Sequence, residues 1–467
     1  MENRQKLLRG LPKIDELLLD EQLIFFMGST PRAVVVNAAR EQIDQLRKAI
    51  LAGECSEIPE RALIIEAICD SISGKKKKNL RTLINATGVI LHTNLGRANL
   101  CKGAVESVLA VADSYSNLEY DVKKGERGSR HDHVEKIISK ITGAEAAMVV
   151  NNNAAATMLC LSAMAYGKEV VTSRGELVEI GGSFRIPDIM EQSGAILKEV
   201  GTTNKTKPSD YRNAFDPEKA GAFLKVHTSN YRIVGFTQEV TLKEMVELGK
   251  ECQVPVIYDM GSGLMADLSR YGVDEPTVVD ALNDGADVVL FSGDKLLGRP
   301  QGGILIGKKE YIDKMKKHPL ARALRVDKMT LAAMEATFFE YLDMETAKNN
   351  IPVLGMITVS EEVLHHRAQM LGELLHRKTE GFKFGICDCK DQIGGGSAPL
   401  VKLNGKALTV QSKTISAKKL ERLLRKAETP VIVRVSQDQV MLSLRTIKDS
   451  EFETVAEAFA FAASQSE

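Results

Sequence analysis

Residues 286–303 read ADVVLFSGDKLLGRPQGG, an apolar run that ends in a lysine set among an aspartate, two leucines and the glycines 293, 298, 302 and 303. A short apolar run bounded by glycine reads as a buried strand, which puts Lys295 just past a strand's carboxyl end. The sequence around it repeats the pattern. AEAAMVV (144–150) precedes the helical NNNAAATMLCLSAMA, EVVTS (169–173) precedes a glycine-containing loop, and AGAFLKVH (220–227) precedes LKEMVELGKECQ and then VPVIYDM (254–260). Strand and helix alternating in this way predict an α/β fold with a mostly parallel sheet covered on both faces, and such sheets bind ligands beyond the carboxyl ends of their strands.

At 467 residues the chain is too long for one core, and three parts are expected. Residues 1–79 repeat apolar positions at helical spacing (LPKIDELLL, AAREQIDQLRKAIL, RALIIEAICDSI) and close on four lysines, Lys75–Lys78, which read as a solvated linker or as a contact to a phosphate backbone. Residues 80–335 hold the strand–helix alternation. Residues 336–467 read as a small α+β domain, with strands TPVIVRV and QVMLSLR joined by the turn SQDQ and a terminal helix EFETVAEAFAFAA. Sixty-two basic and 62 acidic residues cancel, so net charge neither demands nor excludes a polyanionic partner. The seven cysteines are scattered, and Cys387 with Cys389 fits no common zinc spacing, so reduced thiols in a cytoplasmic protein and no metal site are expected. No apolar stretch approaches the roughly 18 residues of a membrane span, and no membrane partner is expected.

Asp259 ends VIYDM and is followed by the tight-turn sequence GSG. If its strand lies near that of Lys295, carboxylate and amine face one bound molecule from two sides. That arrangement suits pyridoxal 5'-phosphate (PLP): the amine condenses with the aldehyde, and the carboxylate keeps the pyridine nitrogen protonated so that the ring draws electrons. The cofactor's phosphate needs a seat, and NNNAAAT (151–157), with Asn153, Ala154 and Ala155, lies where a strand passes into a helix and offers free backbone N–H groups; helix capping by asparagine is the plainer reading. Ser292 offers a further donor. His227, at the end of AGAFLKVH, either packs against the ring or bonds its phenolic oxygen, or is a structural histidine.

A second anion site is suggested by HTNLGR (92–97), ending in Arg97, and by HPLARALR (318–325), which spaces Arg322 and Arg325 three apart on a predicted helix face; ERGSRHDH (126–133) adds Arg127 and Arg130.

TGVILHTNLGRA, VVNNNAAAT, VTSRGELVEIGGSFRIPD, EVGTTNKT, KVHTSNY, SGDKLLG and HPLARALRVDKMTLAAMEAT together resemble the bacterial selenocysteine synthase family, the L-seryl-tRNA(Sec) selenium transferases, most densely from about 80 to 340. The resemblance implies a fold-type-I PLP architecture with Lys295 as the cofactor lysine. It implies as substrate a seryl-tRNA(Sec), which would lose its β-hydroxyl through a cofactor-bound imine and a dehydroalanyl-tRNA, then accept selenium from selenophosphate. It assigns Arg97, Arg322 and Arg325 to selenophosphate, gives Asp294 a part in proton handling, gives residues 1–79 a tRNA contact that calls for a basic surface there, and suggests a homo-oligomeric ring of dimers. DNA is not expected as a partner. One departure stands out: the family usually carries glycine where this chain has Arg299, which is strained if position 299 needs positive φ, or else sits at the mouth and adds a phosphate contact.

Two other readings compete. A PLP-dependent β-eliminating ammonia-lyase acting on a small phosphorylated amino acid shares these motifs but has no need of a helical extension like residues 1–74. A non-catalytic tRNA-binding protein on a PLP fold has no need of Lys295, Asp259 and the three arginines.

Overall fold

The computed structural model describes residues 2–76, 78–180 and 184–465. The chain forms two compact units, Met1–Thr82 and Leu83–Glu467.

The first unit is helical: α1 (Glu2–Gly10), α2 (Ile14–Leu17), α3 (Glu21–Ser29), α4 (Arg32–Ala52) and α5 (Arg61–Lys76). Val35, Ala38, Ala39 and Ile43 of α4 recur at helical spacing and bury one stripe against Ile64, Ile65, Ile68 and Ile72 of α5, with Leu17 and Leu23. The first two residues of the lysine run are helical. Lys75 and Lys76 are the last turn of α5, where cations complement the helix dipole; Lys75 Nζ meets Glu41 Oε2 at 2.5 Å and Lys76 Nζ donates to Ser29 Oγ at 2.9 Å. Lys77, in the same run, lies outside the described residues, as do Gly181, Gly182 and Ser183 of the VTSRGELVEIGGSFRIPD motif.

The second unit is built on a seven-stranded sheet of β1 (Ala146–Val150), β2 (Glu169–Ser173), β3 (Ile196–Val200), β4 (Ala220–Val226), β5 (Val256–Gly261), β6 (Val288–Ser292) and β7 (Gly303–Gly307), in the spatial order β1-β7-β6-β5-β4-β2-β3. All neighbours are parallel except β7, which runs antiparallel to both β6 and β1. Two separate apolar clusters cover the sheet. Val149, Phe223, Tyr258, Val289 and Phe291 belong to one, and Met148, Leu224, Ile257, Leu290 and Leu305 to the other, the alternation expected of strands buried on both faces. Strands β3 and β7 were not anticipated. β3 is an edge strand half open to solvent, with Lys198 and Glu199 in its middle, and β7 opens on a glycine that reads as loop.

The C-terminal part carries a four-stranded antiparallel sheet of β8 (Phe382–Gly394), β9 (Ser397–Ser412), β10 (Arg434–Ser436) and β11 (Gln439–Ser443), ordered β8-β9-β11-β10. The tight turn between β10 and β11 has positive φ at both central residues, Gln437 (49°) and Asp438 (55°), the twist a two-residue hairpin favours. The long β8–β9 hairpin fixes the stretch that leads to Arg97. Ile90 N donates to Gln392 O (3.0 Å) and Leu91 N to Ile393 O (2.7 Å). Beside them the fully buried Asp391 accepts from Arg445 Nε (3.0 Å) and Ser443 Oγ (2.9 Å).

Candidate active site

Asp259 and Lys295 come together because β5 and β6 are adjacent and parallel, with Asp259 opposite Leu290, so that both side chains stand at the same carboxyl edge. Asp259 is 3% exposed. Its Oδ1 accepts from Asn153 Nδ2 at 2.8 Å and its Oδ2 from Thr157 Oγ1 at 3.0 Å. The two donors are four residues apart on one face of α6 (Asn153–Ala165) and aim at the same carboxylate. Burial pushes the Asp259 carboxyl up, and the bonds from Asn153 and Thr157, with the charge of Lys295, work against that rise.

Lys295 is 4% exposed, and among the described residues its Nζ has no hydrogen bond or ion pair. Burial pulls its pKa down and the nearby Arg97 adds to this, while Asp259 and Asp294 oppose it. A buried amine held toward its neutral form, without a partner, is suited to covalent or proton-transfer work. Gly261, with φ 70°, takes a left-handed turn beside it: a Cβ there would lie 3.9 Å from Lys295 Nζ and 3.4 Å from Ser229 Oγ. Ser229 Oγ and Ser262 Oγ are buried and unpartnered among the described residues. Donors of this kind around a bare amine fit a polar aromatic group better than a packed core.

At the start of α6, Asn152 is the N-cap and its Oδ1 takes the Ala155 amide at 2.8 Å. Ala155 N is committed to the cap and the Asn153 side chain serves Asp259, while the amides of Asn153 and Ala154 stand at the positive end of the helix. Ser292 ends β6, buried, three residues before Lys295.

His227 follows β4 directly. Its N–H donates to Asp259 O at 2.8 Å, and its Nε2 lies 2.5 Å from Glu275 Oε2. Next to it the buried Glu176 clamps the strand end, accepting from Lys225 Nζ and from Val226 N, each at 2.9 Å.

The arginines fall in two places. Arg97 adopts a left-handed backbone (φ 61°), uncommon for a residue with a Cβ, and its Nη1 reaches Asp294 Oδ2 at 2.7 Å. Arg322 and Arg325 line a cavity of about 260 Å³ with Arg127, Arg130, Lys316, His131 and Glu119. The shared helix face expected for this pair is not what joins them. The helix stops at Ala323, and Arg325 instead bridges Val150 at the end of β1, next to the start of α6. Glu119, the cavity's one carboxylate, is held below its ordinary range by the bond from Arg130, and burial pushes His131 down to about 4.

Arg299 is neither strained nor at a mouth. The left-handed turn is taken by Gly298 (φ 73°), and Arg299 is fully buried against the Phe338 ring with Nε, Nη1 and Nη2 unpartnered among the described residues. Burial drives its pKa well down.

Sequence reading missed Thr157 as a ligand of Asp259, although its spacing from Asn153 carried the signal, and missed Glu275, which lies 48 residues from His227 with no local mark.

Comparison with known proteins bears on the whole chain. Residues 83–448 match the family described as L-seryl-tRNA selenium transferase, and residues 8–47 match the selenocysteine synthase N-terminal family. The L-seryl-tRNA(Sec) selenium transferase of Clostridium botulinum (strain Okra / Type B1) is 49% identical over 458 residues, covering 98% of this chain and 99% of that one. That of Alkaliphilus oremlandii (strain OhILAs) is 50% identical over 462 residues, with 98% and 99% covered. Among solved structures, D-glucosaminate-6-phosphate ammonia-lyase superposes with a TM-score of 0.57 at 20% identity, over 83% of this chain and 97% of that one, a likeness of fold. No helix among the described residues is long and apolar enough to cross a membrane.

Proposed function

Because this chain belongs to the L-seryl-tRNA selenium transferase family, we propose that it converts L-seryl-tRNA(Sec) to L-selenocysteinyl-tRNA(Sec) with selenophosphate as donor and PLP as cofactor. The observation that carries the reading is the buried, unpartnered Lys295 amine beside an Asp259 carboxylate braced by Asn153 and Thr157. Bound PLP supplies an electron sink for the serine α-carbon. Asp259 would hold a proton at the pyridine nitrogen, and its two donors oppose the rise that burial brings to its carboxyl. The Asn153 and Ala154 amides at the head of α6 bind the phosphate. With the cofactor and substrate bound, the Lys295 amine would be the base at the α-carbon, and its burial favours the neutral form that this role needs. Asp294, next in chain and bonded to Arg97, shares in proton handling where the β-hydroxyl leaves.

Arg97, beside Lys295, and the Arg322–Arg325 cavity, beside the head of α6, flank this site and bind the selenophosphate anion. The first unit contacts the tRNA. Its residues 1–82 hold 14 Lys and Arg against 12 Asp and Glu, so that contact is local and does not rest on a strongly basic domain. The protein works in the cytoplasm as a homo-oligomer built from dimers. The ammonia-lyase reading is supported by fold alone, whereas the full-length relatives and the matched N-terminal segment support the tRNA substrate. The test is to supply serylated tRNA(Sec) and selenophosphate and identify the amino acid recovered from the tRNA. The parent yields selenocysteine and Lys295→Ala leaves serine; unchanged serine from the parent, with the donor intact, would sink the reading.

A further inference from the structure

His227 is held at its backbone N–H, its carbonyl and its Nε2. Its backbone is pinned on both sides, with N–H donating to Asp259 O and its carbonyl accepting from Ser229 N, each at 2.8 Å, so its Cα is locked to the strand that carries Asp259. Its side chain is 19% exposed, and Nε2 is held at 2.5 Å by Glu275 Oε2. The Glu275 side chain is itself only 3% exposed. It projects from a stiff turn: Val273 N bonds Leu268 O (3.3 Å), Pro276 follows, and Thr277 caps the next helix, accepting from Asp280 N at 3.1 Å. A buried carboxylate at that distance accepts, so Nε2 carries a hydrogen and Nδ1 is left as the ring nitrogen without a partner among the described residues.

From this we propose that Glu275 is a positioning residue: it sets the tautomer and the ring orientation of His227, and through His227 it sets how tightly the site holds its cofactor. The inference rests on the PLP reading of the site. Glu275 makes no direct contact with the cofactor; its whole effect passes through the imidazole. A residue of merely structural value would act with or without His227. A residue that acts through the imidazole has nothing left to do once the imidazole is gone.

The experiment is a double-mutant cycle on the full-length protein stripped of cofactor, with the PLP dissociation constant read from visible absorbance on titration. Glu275→Ala should weaken PLP binding about tenfold, in the range seen when an orienting partner of a histidine is removed. Glu275→Gln keeps an oxygen that can accept from Nε2–H, and it should recover affinity to within about threefold of the parent. His227→Ala should weaken binding, and adding Glu275→Ala to it should change the constant by less than about twofold. Equal loss from Glu275→Ala in both backgrounds, or no loss in the parent background, overturns the inference while leaving the cofactor assignment standing. A parent that takes up no PLP overturns both. If Glu275→Ala does not fold, Glu275→Gln in the two backgrounds decides: a loss of tenfold or more that persists without His227 contradicts the role.

Discussion

Asp259→Asn separates what the carboxylate does for the cofactor from what it does for the fold. The substitution is isosteric, and the surrounding donors can re-form around an amide. Asn153 Nδ2 can still donate to the retained oxygen. Thr157 Oγ1, which lies 2.9 Å from Asn153 O, can turn its one hydrogen to that carbonyl and accept from the new NH2 group. No buried polar atom need be orphaned. What disappears is charge. Asp259 has a raised pKa in the folded chain, so between its unfolded value of 3.8 and that raised value the folded state binds more protons. Its contribution is fully present below 3.8 and is lost as pH rises through the folded pKa. Above 3.8 the carboxyl therefore counts against the cofactor-free fold, and Asn should match or exceed the parent in thermal stability at neutral pH. Cofactor binding moves the other way. Losing a charged hydrogen bond costs about 1.5–3 kcal/mol, about ten- to a hundredfold in the PLP dissociation constant. Asp259→Ala is the contrast, since it strands Asn153 Nδ2 in the core at about 1–3 kcal/mol and should melt below both. Thermal melts of the stripped proteins and absorbance titration with PLP measure the two effects. Parent-like PLP affinity in Asp259→Asn, or a melt below that of Asp259→Ala, would refute the reasoning.

Three further outcomes follow from neighbouring groups. Lys295 is depressed below 10.5 by burial, so in the window between its folded pKa and 10.5 the unfolded chain binds more protons and the stability of the cofactor-free protein rises with pH; Lys295→Met should flatten that part of a pH–melting profile, and an unchanged slope would contradict the depressed amine. Arg299→Met keeps the volume and removes a buried guanidinium that packs on the Phe338 ring without a hydrogen-bond partner among the described residues, so chemical denaturation should show a gain in stability; a loss would mean that the guanidinium is compensated. Arg322→Ala should leave PLP affinity unchanged and raise the selenophosphate concentration needed for half-maximal rate about tenfold or more, and a parent-like dependence on donor would remove Arg322 from the anion site.

The central strands were legible because VIYDM and VVLFS are short apolar runs ended by glycine and buried on both faces, and the residue after each run sits at the carboxyl edge. Parallel pairing of β5 with β6 then follows from strand–helix alternation, which is why Asp259 and Lys295 could be matched without coordinates. The rest was hidden for particular reasons. The β8–β9 hairpin carries CDCKDQIGGGSAP, in which buried positions such as Asp391 and Ser397 are polar and three glycines stand in a row, so it has no apolar run to mark it. HPLARALR has helical spacing throughout, but its last residue is captured by a bridge to Val150, a tertiary contact that overrides local preference. The sequence offered Asn153 through its place at the head of a helix and gave no mark of its side chain's partner, a carboxylate 106 residues away.

The claim on which the account turns is that Lys295 bonds covalently to the cofactor, and borohydride reduction of the PLP-loaded protein followed by peptide mass spectrometry tests it most directly. The account predicts a pyridoxyl-phosphate mass fixed on the peptide that contains Lys295, absent from Lys295→Ala. The same mass on a different lysine, or none on a protein that still turns over serylated tRNA(Sec), would contradict it.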